Sequence, residues 1–338
     1  MTTNPNADEA PLDAKKKPRK SLARFVPKAG SFKPRFNRRT GKTIVSVVLL
    51  GLFLNYGVVG NLLHDIDADP DFRATFPPSE GSAAVTAAAA LLNRELNTKS
   101  WVPNDQWFAP TALFDNMPNF QIGLMNAVGR FSFEMLDQIG RRSGSSAADP
   151  DLERAAGFLQ YPPDIWIWEP SNSFLPSVAS ETQYQQGLEA FLRYNARLTN
   201  QQAVFERRSD TLAQVLSRIS DNLGSRTSQL EAAQSTGWWL FSQTADDVFF
   251  QNKGTLYGYD IILEGLGEDF ALVIAENNLT TVWEQTLASL RQGSQLRPSV
   301  VLNASIERSI FANHLALQGF FMKRAILQLE EVIGVLEV

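Results

Sequence analysis

Two carboxylic acids and two indoles crowd into six residues, Asp164, Trp166, Trp168 and Glu169, with Ser171 and Asn172 just beyond. Acids beside aromatic platforms suit glycan cleavage, because one acid protonates the leaving oxygen while the rings stack on sugar faces. Asp164 and Glu169 are thus the candidate catalytic residues, and Trp166 and Trp168 the candidate binding residues, of a peptidoglycan-acting enzyme or glycan-binding module. A plainer reading has the indoles pinning a loop onto helices. Pro170 follows Glu169, and the pattern around lytic transglycosylase sites is missing. Trp238 and Trp239 form a second pair that reads as core or membrane-facing, and more weakly as a binding site.

Other chemistries have little material. With no cysteine, thiolate nucleophiles, thiolate metal sites and disulfides are excluded, which is compatible with an oxidising compartment. Of the two histidines, His64 reads as a polar residue at a membrane interface and His314 as a hydrogen-bonded core residue. No phosphate-binding loop, dinucleotide fingerprint, HExxH or nucleophile elbow occurs. Gly265 and Gly267 are followed by acids that would repel a phosphate. The sequence implies no cofactor and no metal, and it favours a non-enzyme.

The strongest positional signal is residues 43–63, an apolar run without a charge. As a helix it spans about 30 Å, the thickness of a bilayer's hydrocarbon core. Residues 1–42 carry twelve Lys or Arg against three acids, whereas the remainder carries 19 against 33. The positive-inside rule then predicts an uncleaved signal anchor in a bacterial inner membrane, crossing once, with a disordered basic cytoplasmic tail over 1–42 and a periplasmic domain beyond. Anionic lipid headgroups are the expected partner of the tail. Nucleic acid is not expected to bind the acidic main domain. Asn55, near mid-span, is a candidate for pairing between helices.

Residues 64–81, rich in acids and proline, read as a linker, and residues 82–338 as one all-α domain with a sub-boundary near 175–180. Helical spacing is clearest over Phe120, Leu124, Val128, Phe131, Met135 and Ile139. Asp149 followed by Pro150 reads as an N-cap and first helical residue. Residues 161–170 alternate as a brief extended segment would. Further helices are expected over 257–276, over 280–292 with Gly293 as the stop, and from Pro298 onward with Leu302, Ile306, Ile310, Leu317, Phe321 and Val332 buried.

Between 181 and 233, Leu188, Asn195, Gln202, Ser209, Leu216, Leu223 and Leu230 recur every seven residues, beside a second apolar seam. This predicts a long heptad-patterned helix, in an intermolecular coiled coil or an antiparallel hairpin, with Asn195, Gln202 and Ser209 as register residues.

The run from Asp115 to Gly123, DNMPNFQIG, with Trp101, Pro103 and Asn104 before it and Gly140 and Arg141 after it, resembles a family of uncharacterised bacterial single-pass inner-membrane proteins. The resemblance extends over the anchor and most of the chain beyond it, and it implies a Gram-negative envelope setting without a catalytic residue to carry over. The sequence therefore points to an all-α protein, one transmembrane helix followed by a helical bundle. Its expected role is a non-catalytic envelope scaffold, adaptor or assembly factor, contacting the lipid bilayer and an envelope protein or a second copy of itself.

Overall fold

Ser82 precedes a run of small and apolar residues, and its side chain accepts from the Val85 N–H at 3.1 Å, which starts a helix. The first turn is also held by Asp269, whose carboxylate accepts from the Ala83 and Ala84 amides at 2.9 and 3.0 Å. A negative charge there complements the helix dipole. The computed structural model describes residues 38–75, 81–139, 148–168, 175–236, 243–298, 300–302 and 313–338. Among these the regular secondary structure is helix alone, without strands.

The chain divides into two compact units, 1–48 and 49–338. Of the first, 38–48 are described, and all are helical. They open α1 (Arg38–Leu52), which continues through a π-helical stretch, Phe53–Val59, into α2 (Gly60–Leu63). Within this helix Gly41–Leu63 is long and apolar enough to cross a membrane, and only 6% of its most apolar window is buried. A core helix would be mostly covered, so protein packing does not account for this apolar surface.

The second unit is a bundle. Its elements are α3 (Ala83–Asn93), α4 (Asn116–Glu134), α5 (Pro150–Leu159), α6 (Ser180–Thr199), α7 (Ser209–Thr236), α8 (Gln243–Asp269), α9 (Ala271–Glu276), α10 (Thr280–Ser294) and α11 (His314–Leu336). Central to it is α8, buried along most of its length and packed against α4, α3, α10 and α7. The stripe on α4 is buried at Phe120, Leu124, Val128, Phe131 and Met135. Asp149 caps α5 with Pro150 in the first turn. On either side of residues 175–180, α5 and α6 pack against each other.

Glycine sets the closest crossing. A Cβ on Gly123 would lie 1.8 Å from the Gln251 carbonyl oxygen, and one on Gly254 would lie 1.9 Å from that of Phe120. Only hydrogen fits at both points, so the backbones of α4 and α8 touch. The Thr255 hydroxyl, donating to the Gly123 carbonyl at 3.0 Å, joins them there.

Several expectations change. The heptad stretch is two helices, because α6 ends at Thr199, Gln201 adopts a left-handed φ of 57°, and α7 begins at Ser209. Its apolar seams are buried, but α6 lies on α5 and α3 whereas α7 lies on α11 and α8. A continuous long helix over 181–233 does not form. Residues 161–168 are turns, not a strand. The helix expected from 257 begins at Gln243 and breaks after Asp269. Gly293 is buried inside α10, whose end is held by the Lys253 ammonium donating to the Ser294 and Leu296 carbonyls at 2.5 and 2.9 Å. The last described helix starts at His314, capped by Asn313; Leu317 is exposed and Val332 buried, while Ile306 and Ile310 lie outside the described residues.

Candidate functional site

Of the residues singled out for glycan chemistry, Asp164 is exposed in the turn after α5, and Glu169, Ser171 and Asn172 lie outside the described residues. The loop is pinned to the bundle. Trp101 Nε1 donates to the Pro163 carbonyl at 3.0 Å, Asn104 Nδ2 to that of Ile165 at 2.9 Å, and the Ser177 hydroxyl to that of Trp166 at 2.7 Å. Trp166 is half-buried with its ring 6.0 Å from that of Phe108, and Trp168 is exposed. Trp166 thus meets a neighbouring aromatic loop. Trp238 and Trp239 lie outside the described residues, as do Gly140 and Arg141.

That neighbouring loop, 107–114, meets the apolar helix. Tyr56 Oη donates to the Trp107 carbonyl at 2.5 Å, and Asn55 Nδ2 to that of Phe108 at 3.4 Å. Asn55 therefore bonds within its own chain. Gly60 permits the approach, since a Cβ there would sit 2.3 Å from the Pro110 carbonyl oxygen.

After the helix the chain stays on the bundle. His64 Nε2 accepts from the Met117 amide at 3.3 Å, and burial lowers the imidazole's pKa against the opposing pull of Asp115. Lys99 pairs with Asp65 at 2.5 Å. Ala68 is buried and its carbonyl accepts from Gln295. Residues 64–75 of the expected linker are thus docked, and residues 76–80 are outside the described set.

A buried charge network holds this segment. Arg94 and Glu95, both at the end of α3, pair at 2.8 Å, and Arg94 also donates to the Tyr257 hydroxyl at 2.9 Å. Tyr257 in turn donates to the Asp69 carbonyl at 3.0 Å, and Asp67 lies 3.7 Å from the guanidinium. Gln121 of the DNMPNFQIG run donates to Glu95 at 3.0 Å and accepts from the Val102 amide at 3.0 Å. The guanidinium is also 4.4 Å from the Phe72 ring centroid. Sequence reasoning passed over this network. The available signal was adjacent opposite charges ending an otherwise apolar helix.

Beside it runs a groove of about 710 Å³ between the 70–73 segment, α8, α9 and α10. Trp283, Leu287, Ile274 and Ala271 make its apolar lining, and Arg73, Glu268, Glu264, Glu284 and Arg291 its charged one. Arg73 and Glu268 pair at 2.7 Å, and Arg291 pairs with Glu264 and, at 3.2 Å, with Asp260. Asp260 is fully buried and its Oδ1 has no partner; burial, opposed by Arg291, pushes its carboxyl up to about 7. The volume suits a few side chains or a small ligand, with apolar contact for affinity and charges for orientation.

The register residues separate. Asn195 Oδ1 accepts from the Ser82 amide at 2.7 Å and its Nδ2 donates to Thr86 at 2.9 Å, so it joins α6 to the start of α3. Gln202 is exposed in the α6–α7 loop and Ser209 opens α7. His314 is half-buried, with Nδ1 accepting from the Leu302 amide at 3.0 Å. Among the described residues no group of three or more His, Asp or Glu is placed to hold a metal.

Residues 73–237, somewhat under half of the chain, match the family model DUF2333, described as an uncharacterized protein conserved in bacteria. The match includes the DNMPNFQIG run but begins after the apolar helix, so the resemblance is narrower than the sequence suggested. No curated protein and no solved structure matches.

Proposed function

We propose that this is a single-pass inner-membrane protein whose helical domain stands in the periplasm and works by contact, as a scaffold, adaptor or assembly factor of the bacterial envelope. The observation that carries the reading is the junction between helix and domain. Tyr56, Asn55 and Gly60 meet the 107–110 loop, and Asp65, Asp67, Ala68 and Asp69 are tied to Lys99, Arg94, Gln295 and Tyr257. A tethered enzyme searching for a polymeric substrate gains from a loose linker; a docked junction instead holds one face at a fixed height for a partner. The groove at Trp283 has a mixed lining that suits a peptide segment bearing apolar and charged side chains.

A photo-crosslinking residue at exposed Glu284, beside the groove, tests this in intact cells, with exposed Leu327 on α11 as the comparison site. The expected result is a discrete protein adduct at position 284 that is lost with Leu287→Glu and is not formed at 327. Equal yields at both sites, or murein cleavage by the purified full-length protein, would overturn the reading. A C-terminal reporter active in the cytosol would overturn the orientation.

A further inference from the structure

We propose that loops 107–113 and 166–168 insert into the interfacial layer of the bilayer crossed by the apolar helix, giving the domain a second, non-helical hold on the same leaflet. The inference rests on that helix spanning the membrane.

Depth is the first argument. Tyr56 lies seven residues before Leu63, so its bond to the Trp107 carbonyl sits about 10 Å back from the helix end at 1.5 Å of rise per residue. The Asn55 bond to Phe108 and the close approach of Gly60 to Pro110 fix the same loop along the last turns. If residues 43–63 fill the hydrocarbon, a loop fastened at Tyr56 is anchored about 10 Å inside that boundary, in the upper acyl region, and its flanks reach the headgroups.

Composition is the second. Trp107 is 79% exposed, Leu113 69%, Phe108 54%, Ile167 53% and Trp168 50%. The rings of Trp107 and Phe108 are 5.8 Å apart, and those of Phe108 and Trp166 are 6.0 Å apart, so the two loops form one patch. Contiguous exposed apolar surface of this kind marks an interaction site, and tryptophan prefers the membrane–water boundary, where its ring is apolar and its N–H finds water.

Charge decides the kind of contact. Between 101 and 121 there is no Lys or Arg, and Asp105, Asp115 and Asp164 flank the patch. The hold therefore comes from aromatic and aliphatic insertion, not from attraction to anionic headgroups, and it should be insensitive to salt and to the anionic lipid fraction.

The cysteine-free chain permits a direct test. Full-length protein carrying Trp107→Cys, Leu113→Cys or Trp168→Cys, labelled with a polarity-sensitive dye, is placed in phosphatidylethanolamine–phosphatidylglycerol vesicles containing a headgroup-proximal nitroxide lipid, with a mid-acyl-chain nitroxide lipid used in parallel for the Phe53 control. Phe53→Cys reports the spanning helix and Leu272→Cys, on exposed α9 surface, reports water. The expected result is several-fold stronger quenching at 107, 113 and 168 than at 272, unchanged by salt. Quenching at 107 and 113 equal to that at 272, with Phe53 still quenched, overturns the proposal alone; an unquenched Phe53 label overturns the membrane-spanning reading beneath it. Shielding of the 107 and 113 labels from aqueous reagents that persists in detergent would assign the patch to a protein partner and also overturn the proposal.

Discussion

Gly123→Ala tests whether α4 and α8 meet backbone to backbone. The added Cβ would lie 1.8 Å from the Gln251 carbonyl oxygen and 2.7 Å from its carbonyl carbon, both main-chain atoms that no rotamer change can move. Ordinary contact begins near 3.4 Å, so the helices must separate by more than an ångström locally. That would strain the Thr255 hydroxyl bond to the Gly123 carbonyl and part the flanking packing of Phe120 and Leu124. Overpacking typically costs about 1–3 kcal/mol, and rigid backbone on both sides places this case at the upper end. Alanine's better helix propensity offsets roughly 1 kcal/mol, leaving a net loss of about 2 kcal/mol. The comparison is Gly157→Ala in α5 and Gly224→Ala in α7, where a Cβ meets nothing within 4 Å; these should gain a few tenths to about 1 kcal/mol. Chemical denaturation of the three variants in the same detergent gives the ordering. If Gly123→Ala were as stable as Gly157→Ala, the close crossing of α4 and α8 would be wrong.

The buried polar groups set three further outcomes. Burial raises the Asp260 carboxyl to about 7, the Glu134 carboxyl to about 7 and the Asp246 carboxyl to about 6, so the folded state holds these protons to higher pH than the unfolded chain; stability should fall as pH rises from about 4 through 7, and Asp260→Asn should flatten that slope in thermal unfolding between pH 5 and 8. Arg94→Met strands Glu95 in the interior and should cost about 3–5 kcal/mol, with faster proteolysis in the 65–75 segment as its measurable local sign. Asn195→Ala should cost about 1–2 kcal/mol through the lost bond to Ser82, without any change in oligomeric mass by light scattering, whereas a register residue of a coiled coil would alter that mass.

Period and capping were readable along the chain because they depend on near neighbours. The α4 stripe, the Asp149–Pro150 start of α5 and the apolar 43–63 run all appear in the structure where the spacing placed them. The heptad between 181 and 233 misled because a seven-residue repeat reports only which side of a helix is buried, not against what. A break that keeps phase, as at residues 200–208, leaves the repeat intact while the two halves pack on different partners. For the six-residue cluster from Asp164 to Glu169 the residue types were legible, whereas the fastening of its loop by Trp101, Asn104 and Ser177 and the meeting of the Trp166 ring with Phe108 were not.

Composition and periodicity settled the all-α class, the apolar helix, the buried stripe of α4 and the start of α5, since each follows from local hydrogen bonding and a face of buried side chains. Folding decided what distant segments share: Asn195 with Ser82, Arg94 with Tyr257 and Asp69, Tyr56 with Trp107, and Arg73 with Glu268. Such pairings lie about fifty to two hundred residues apart, and no local preference encodes them, because a buried polar group is satisfied by whichever partner the whole packing brings within reach.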